Sequence, residues 1–122
     1  MSILHNDVYD NGLNEIVNNT NVLHLLNDNP GITFANIATM TLGNKASPTI
    51  NTPEAHITGR KITIEAAYNC IATATGTATH YALVDTTGSR ILASGYLDAP
   101  VSLTSGTYFA TSAMYIAIPA PT

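Results

Sequence analysis

The run from Ile71 to Asp85, IATATGTATHYALVD, restricts the fold more than any other part of this chain. Small apolar and hydroxyl residues alternate along it with a period of two, and a Gly-containing turn, TTGS, leads into a second alternating run, RILASGYL. Successive side chains of a strand point to opposite faces, so the pattern predicts a hairpin in a sheet with a covered face. His80, Ala82 and Val84 fall on one side of the strand, and Tyr81, Leu83 and Asp85 on the other. Both sides carry apolar groups, which predicts an interior strand, covered on one face by a second sheet and on the other by an N-terminal helix or a neighbouring subunit. The Ala-rich residues 72–78 have little bulk and permit close approach of another backbone layer. No cluster of acid, base, nucleophile or ligand residues lies on the run.

The rest of the C-terminal half continues in the same manner. Strands are predicted over 61–67, 70–75, 77–85, 90–97, 101–104 and 107–118, with turns at Asn69, Gly76, Thr87-Gly88, Asp98 to Pro100 and Ser105-Gly106. Crossover helices are lacking, so parallel β-α-β units are excluded and an antiparallel β-sandwich, jelly-roll or Ig-like, is expected. The N-terminal half is more mixed. One short helix is predicted over 7–19, with Asp7 accepting from the free amides of the first turn and Val8, Leu13, Ile16 and Val17 sharing a face. The Asn11-Gly12 pair weakens that helix, since both residues prefer turns. Residues 21–26 form a buried strand that ends in a turn at Asp28 to Gly31. TFANIA fits a single helical turn, and TMTLG a short strand. A long loop is expected over 43–60, where Pro48 and Pro53 exclude a central strand. The β region thus spans 22–118, the terminal residues 119–122 form an extended tail, and 1–122 is a single domain.

Composition excludes several roles. The net charge is −4 and only four residues are Lys or Arg, too few cations to displace the counterions of a nucleic acid. No segment approaches the apolar length of a membrane span, and the N-terminus lacks the pattern of a signal peptide, so synthesis in a cytosol is expected. The single Cys70 precludes an intramolecular disulfide and reads as a small buried hydrophobe. Charged residues make up 10% of the chain, against about 25% in an ordinary soluble domain. Charge on edges and faces is what keeps sheets apart, so this chain is expected to pack against copies of itself or other subunits.

Candidate chemistry is sparse. His5, His24, His56 and His80 show no metal-binding spacing. His80 and Asp85 can be drawn into a triad with a serine, but no GxSxG turn supports a nucleophile. Glu54 and Glu65 have no informative spacing, and Glu65 falls on an outer strand face. The expectation is therefore no enzyme, no cofactor and no metal. Tyrosine offers an apolar ring with a polar tip, which suits contacts between chains. Tyr96, Tyr108 and Tyr115 in the late strands are the expected contact residues, joined by Lys45 and Arg60 from the 43–60 region.

The segments GRKITIEAA, ATATGTATHYALVDTTGSRILASGYL and VSLTSGTYFATSAMYIAIP, with LGNK at Leu42 to Lys45, resemble small proteins encoded among the structural genes of tailed bacteriophages, especially those of alphaproteobacterial hosts. The resemblance covers most of the chain and rests on a GTATHYALVD-like pattern, with Tyr81 standing where relatives carry Trp. It implies a virion protein without enzymatic activity, synthesised in the host cytoplasm. The leading expectation is a head decoration or cement protein binding across capsid subunits. The alternative is a tail, neck or fibre component, and a more remote one is a glycan-binding β-sandwich module. Against the last stand the absence of Trp and of an acidic calcium cluster.

Overall fold

A computed structural model describes residues 3–121, so Thr122 of the expected tail lies outside the described residues. The elements in order are α1 (Asn6–Asn19), β1 (Val22–Leu26), α2 (Asn36–Met40), β2 (Thr41–Ala46), β3 (Glu54–Ala55), β4 (Arg60–Ile64), β5 (Ala67–Ala72), β6 (Gly76–Asp85), β7 (Arg90–Leu103), β8 (Tyr108–Thr111) and β9 (Met114–Ile118). The protein is mainly β. A six-stranded antiparallel sheet in the order β7-β6-β1-β2-β5-β8 curls into a half-barrel, and a three-stranded sheet, β3-β4-β9, packs against it as in a sandwich.

The helix α1 forms because Tyr9, Leu13 and Ile16 recur at the spacing of one helical face; Tyr9 and Leu13 are buried and Ile16 is partly so. Its cap is His5, whose Nδ1 accepts from the Asp7 amide at 3.1 Å, where the sequence pointed to Asp7 as the acceptor. Val8 is exposed rather than part of the buried face. Asn11-Gly12 lies inside the helix because tertiary packing outweighs local turn preference, with Ile118 of β9 resting near Gly12. Thr20 ends the helix by giving both its amide and its hydroxyl to the Ile16 carbonyl.

The interior strand β6 lies between β1 and β7, and both of its faces are covered, the second by α2 and its flanking residues rather than by the N-terminal helix. On the inner face, Leu23 and Leu83 of the large sheet meet Ile64 of the small one, with Ile16, Met114 and Ile116 around them. On the other face, Leu26, Ala82 and Val84 are covered by Ile37 of α2 together with Phe34 and Met40. Towards one end of the half-barrel, Leu25, Leu42, Ala72, Ala78 and Leu103 pack with Phe109 and Tyr81. Gly43 makes this possible: a Cβ there would stand 2.6 Å from Phe109 Cε1 and 2.9 Å from the Ile71 carbonyl oxygen.

Several boundaries differ from expectation. The loop expected over 43–60 is shorter, because LGNK continues β2 through Ala46 in register with β1, and Glu54–Ala55 and Arg60 belong to strands of the small sheet. Pro48 and Pro53 do lie outside strands. Asn69 is not a turn between strands. It sits within β5 at φ 57° in a bulge, and the break between β4 and β5 comes earlier, at Glu65-Ala66, where the chain passes from the small sheet to the large one. Asn tolerates this left-handed conformation better than most residues, which is why it looks like a turn signal in sequence. Gly76 opens β6 and the preceding link is 73–75. The turn expected at Asp98 to Pro100 is a wide bulge in the unbroken strand β7: Ala78 pairs with Val101 and His80 with Tyr96, so Leu97 to Pro100 stand against Thr79 alone. The single strand expected over 107–118 is divided at Ser112-Ala113 into β8 of the large sheet and β9 of the small one.

Candidate interaction surfaces

The residues expected to make contacts lie on separate parts of the molecule. Tyr108 is on β8, an edge of the large sheet, and is 73% exposed. It pairs directly with Ile71 of β5, and Ile71 pairs in turn with Asn44 of β2. The bulge at Asn69 also turns Tyr68 outward, so Tyr68, Ile71 and Tyr108 stand exposed on one outer face. Neither β5 nor β8 contains a charged residue.

Lys45 follows Asn44 on β2 and faces Leu23, so strand alternation turns it away from Tyr108. It lies near enough to Cys70 for its charge to oppose the upward pKa shift that burial gives the thiol. Arg60 is taken up inside the fold. Its guanidinium donates to both Asp10 carboxylate oxygens and to the Pro53 carbonyl, and the hydrogen bond to Asp10 raises its pKa.

Tyr96 and Tyr115 come together in a second region. With Tyr81, Asp98, Ala113 and Met114 they line a cleft of about 420 Å³ between the β7 bulge and the start of β9. A smaller cavity of about 160 Å³ adjoins it, lined by Leu25, by Leu97 to Val101 and by Ala110 to Met114. Residues of both edge strands of the curled sheet, β7 and β8, meet in that cavity.

Each tyrosine of the cleft is positioned by a neighbour. The Tyr81 ring lies against Gly95, where a Cβ would come within 3.1 Å of it, and burial raises its phenol pKa. The Tyr96 ring packs against His80 at a tilt of 39°, with centroids 4.4 Å apart. The Tyr115 ring contacts His56 at 5.3 Å and lies 5.5 Å from the Lys61 ammonium.

The residues considered for catalysis are occupied elsewhere. His80 is buried behind Tyr96, with Nδ1 hydrogen-bonded to Thr79 Oγ1 at 2.8 Å and Nε2 unpartnered. Asp85 binds Arg90 and the Gly88 amide, both of which lower its pKa, and Arg90 reaches on to Glu15 of α1 at 3.0 Å. His80 and Asp85 thus have separate partners. Among the described residues no group of His, Cys, Asp or Glu is placed to hold a metal ion, and no helix is long and apolar enough to cross a membrane.

The sequence pattern alone does not mark Tyr68, Ile71, Tyr81 or Asp98 as contact residues. The signal for the first two is Asn69, a residue suited to the left-handed bulge that sets Tyr68 and Ile71 on the same side. No family model, curated protein or solved structure was found to match the chain.

Proposed function

We propose that this chain is a structural protein of a tailed-phage virion, most specifically a head decoration protein that binds across capsid subunits. The observation that carries the reading is the uncharged outer face of Tyr68, Ile71 and Tyr108 beside the free edge of β8. Protected edges of isolated sheets carry lysine, proline or a covering element; β8 has none of these in its own sequence, YFAT. A partner strand placed along the β8 edge extends the sheet, and the body of that partner laid over the outer face covers the two tyrosines and Ile71, so edge hydrogen bonding and apolar burial reinforce each other. Repetition over a symmetric shell multiplies a modest single contact through avidity. The low charge of the chain and its resemblance to phage structural proteins support the same reading, and a tail, neck or fibre position is the alternative.

The test adds purified chain to heads of the phage that encodes it, prepared from a deletion mutant. The wild-type chain binds the heads, and the double variant Ile71→Lys/Tyr108→Lys, which puts two charges on the face, remains in the unbound fraction while keeping its thermal transition. Equal binding by wild type and variant removes this face from the account.

A further inference from the structure

The cleft between the β7 bulge and β9 differs in character from the β5–β8 face, and we propose that it binds a neutral saccharide. A pyranose has apolar C–H faces bordered by hydroxyl groups, and recognition requires a flat aromatic surface next to fixed polar groups. The cleft supplies both. Tyr96, on the His80 side of the large sheet, and Tyr115, on the outer side of the small sheet, are 78% and 58% exposed and rim the cleft, while Tyr81, on the opposite face of the large sheet, forms its more buried wall.

These rings are already held in place. Gly95 seats Tyr81, His80 backs Tyr96, and His56 and Lys61 flank Tyr115. Ordering them on binding therefore costs less than immobilising free side chains. The chain has no Trp, so tyrosine performs the stacking.

The bulge places one polar side chain, Asp98, at the cleft. Because Leu97 to Pro100 stand opposite a single residue, most of their peptide groups fall outside the regular ladder. Asp98 is exposed and borders the same cleft, and a carboxylate accepts strongly from hydroxyl donors. The cleft volume of about 420 Å³ lies within the usual range of about 300–1,000 Å³ for small-molecule sites.

Charge selects among ligands. Asp98 and a net charge of −4 disfavour uronates, sialosides and nucleotides. The nearest cation, Lys61, is drawn towards Glu54 at 3.8 Å. The inference is independent of the assembly role, because Tyr96 and Tyr108 lie on different surfaces.

The test is an amide chemical-shift titration of the labelled chain with maltohexaose and with chitohexaose, alongside hexagalacturonate and a proline-rich decapeptide. At least one neutral oligosaccharide produces saturable shifts by about 10 mM, the weak end of the affinity scale, confined to Gly95–Val101 and Ala113–Tyr115. Tyr96→Ala and Asp98→Asn each weaken that binding by about tenfold or more, equivalent to about 1.4 kcal/mol, whereas Tyr108→Ser leaves it unchanged. Tyr96 and Asp98 are exposed, and unchanged spectral dispersion of the variants verifies their folds. The inference is overturned if neither neutral oligosaccharide shifts the cleft by that concentration, if only the galacturonate or the peptide does, or if Tyr96→Ala binds as tightly as wild type.

Discussion

Arg60 of β4 grips Asp10 of α1 through two parallel bonds, Nε to Oδ1 at 2.8 Å and Nη2 to Oδ2 at 3.1 Å. A further bond from Nη2 to the Pro53 carbonyl, at 3.3 Å, joins the helix, the small sheet and the preceding loop at one guanidinium. A planar fork is needed for this, and lysine cannot supply it. Arg60→Lys should therefore lower the thermal midpoint by nearly as much as Arg60→Ala, with no change in association between chains. Calorimetry and sedimentation on the same samples check both parts. A lysine variant as stable as wild type means that charge alone, without the fork, holds the helix.

Two glycines make opposite predictions. At Gly43 an added methyl meets the Phe109 ring and the Ile71 carbonyl below 3 Å, so Gly43→Ala should cost about 1–3 kcal/mol through overpacking. At Gly12 the nearest atom is Ile118 Cδ1 at an ordinary 3.4 Å, and the position is helical. Gly12→Ala should stabilise by about 0.5–1 kcal/mol through helix propensity. Urea denaturation of the two variants should move in opposite directions.

The sequence was most readable where local pattern and tertiary packing agree. The period-two run of β6 marked an interior strand because both of its faces are covered, by Ile64 of the small sheet on one and Ile37 of α2 on the other, and Val22–Leu26 was identifiable as a short apolar run that ends before a turn. Readings failed where a turn residue serves a bulge. Asn69 and the Asp98-Ala99-Pro100 group carry ordinary turn chemistry, yet each sits inside a continuous strand that bends without ending. The exposed tyrosines were recognisable as candidates for contact, but which of them share a surface was not. That depends on the bulge at 97–100 and on the separation of β8 from β9 into different sheets, and both are set by long-range pairing.

Acid should destabilise the fold in two steps. His24 is half-buried in β1, its Nδ1 paired with Thr41 Oγ1 at 2.9 Å, and burial lowers its pKa. The unfolded chain takes up that proton near the ordinary value of about 6.5, the folded chain only at lower pH. The unfolded state thus holds more protons in this interval, so stability falls as pH drops below about 6.5 and levels off past the folded pKa. Asp85, held down by hydrogen bonds from Arg90 and Gly88, loses its contribution at lower pH still, as the pH falls below about 3.9 and through the folded pKa. His24→Gln should remove the upper step and Asp85→Asn the lower one in thermal midpoints measured from pH 8 to pH 3.

Cys70 is 1% exposed on β5, and burial raises its thiol pKa. A disulfide reagent should therefore modify it only as fast as the chain opens, with the rate rising in urea along with unfolding. Rapid labelling of the native chain means that β5 opens locally near the proposed contact face.

The central claim, that the chain is a head decoration protein, is tested most directly by quantitative mass spectrometry of purified particles separated into heads and tails. The expected result is the chain in the head fraction at a copy number on the order of hundreds, in step with the repeated subunits of the shell. Recovery only with tails, at a few copies per particle, contradicts the decoration assignment, and absence from both fractions contradicts the virion role altogether.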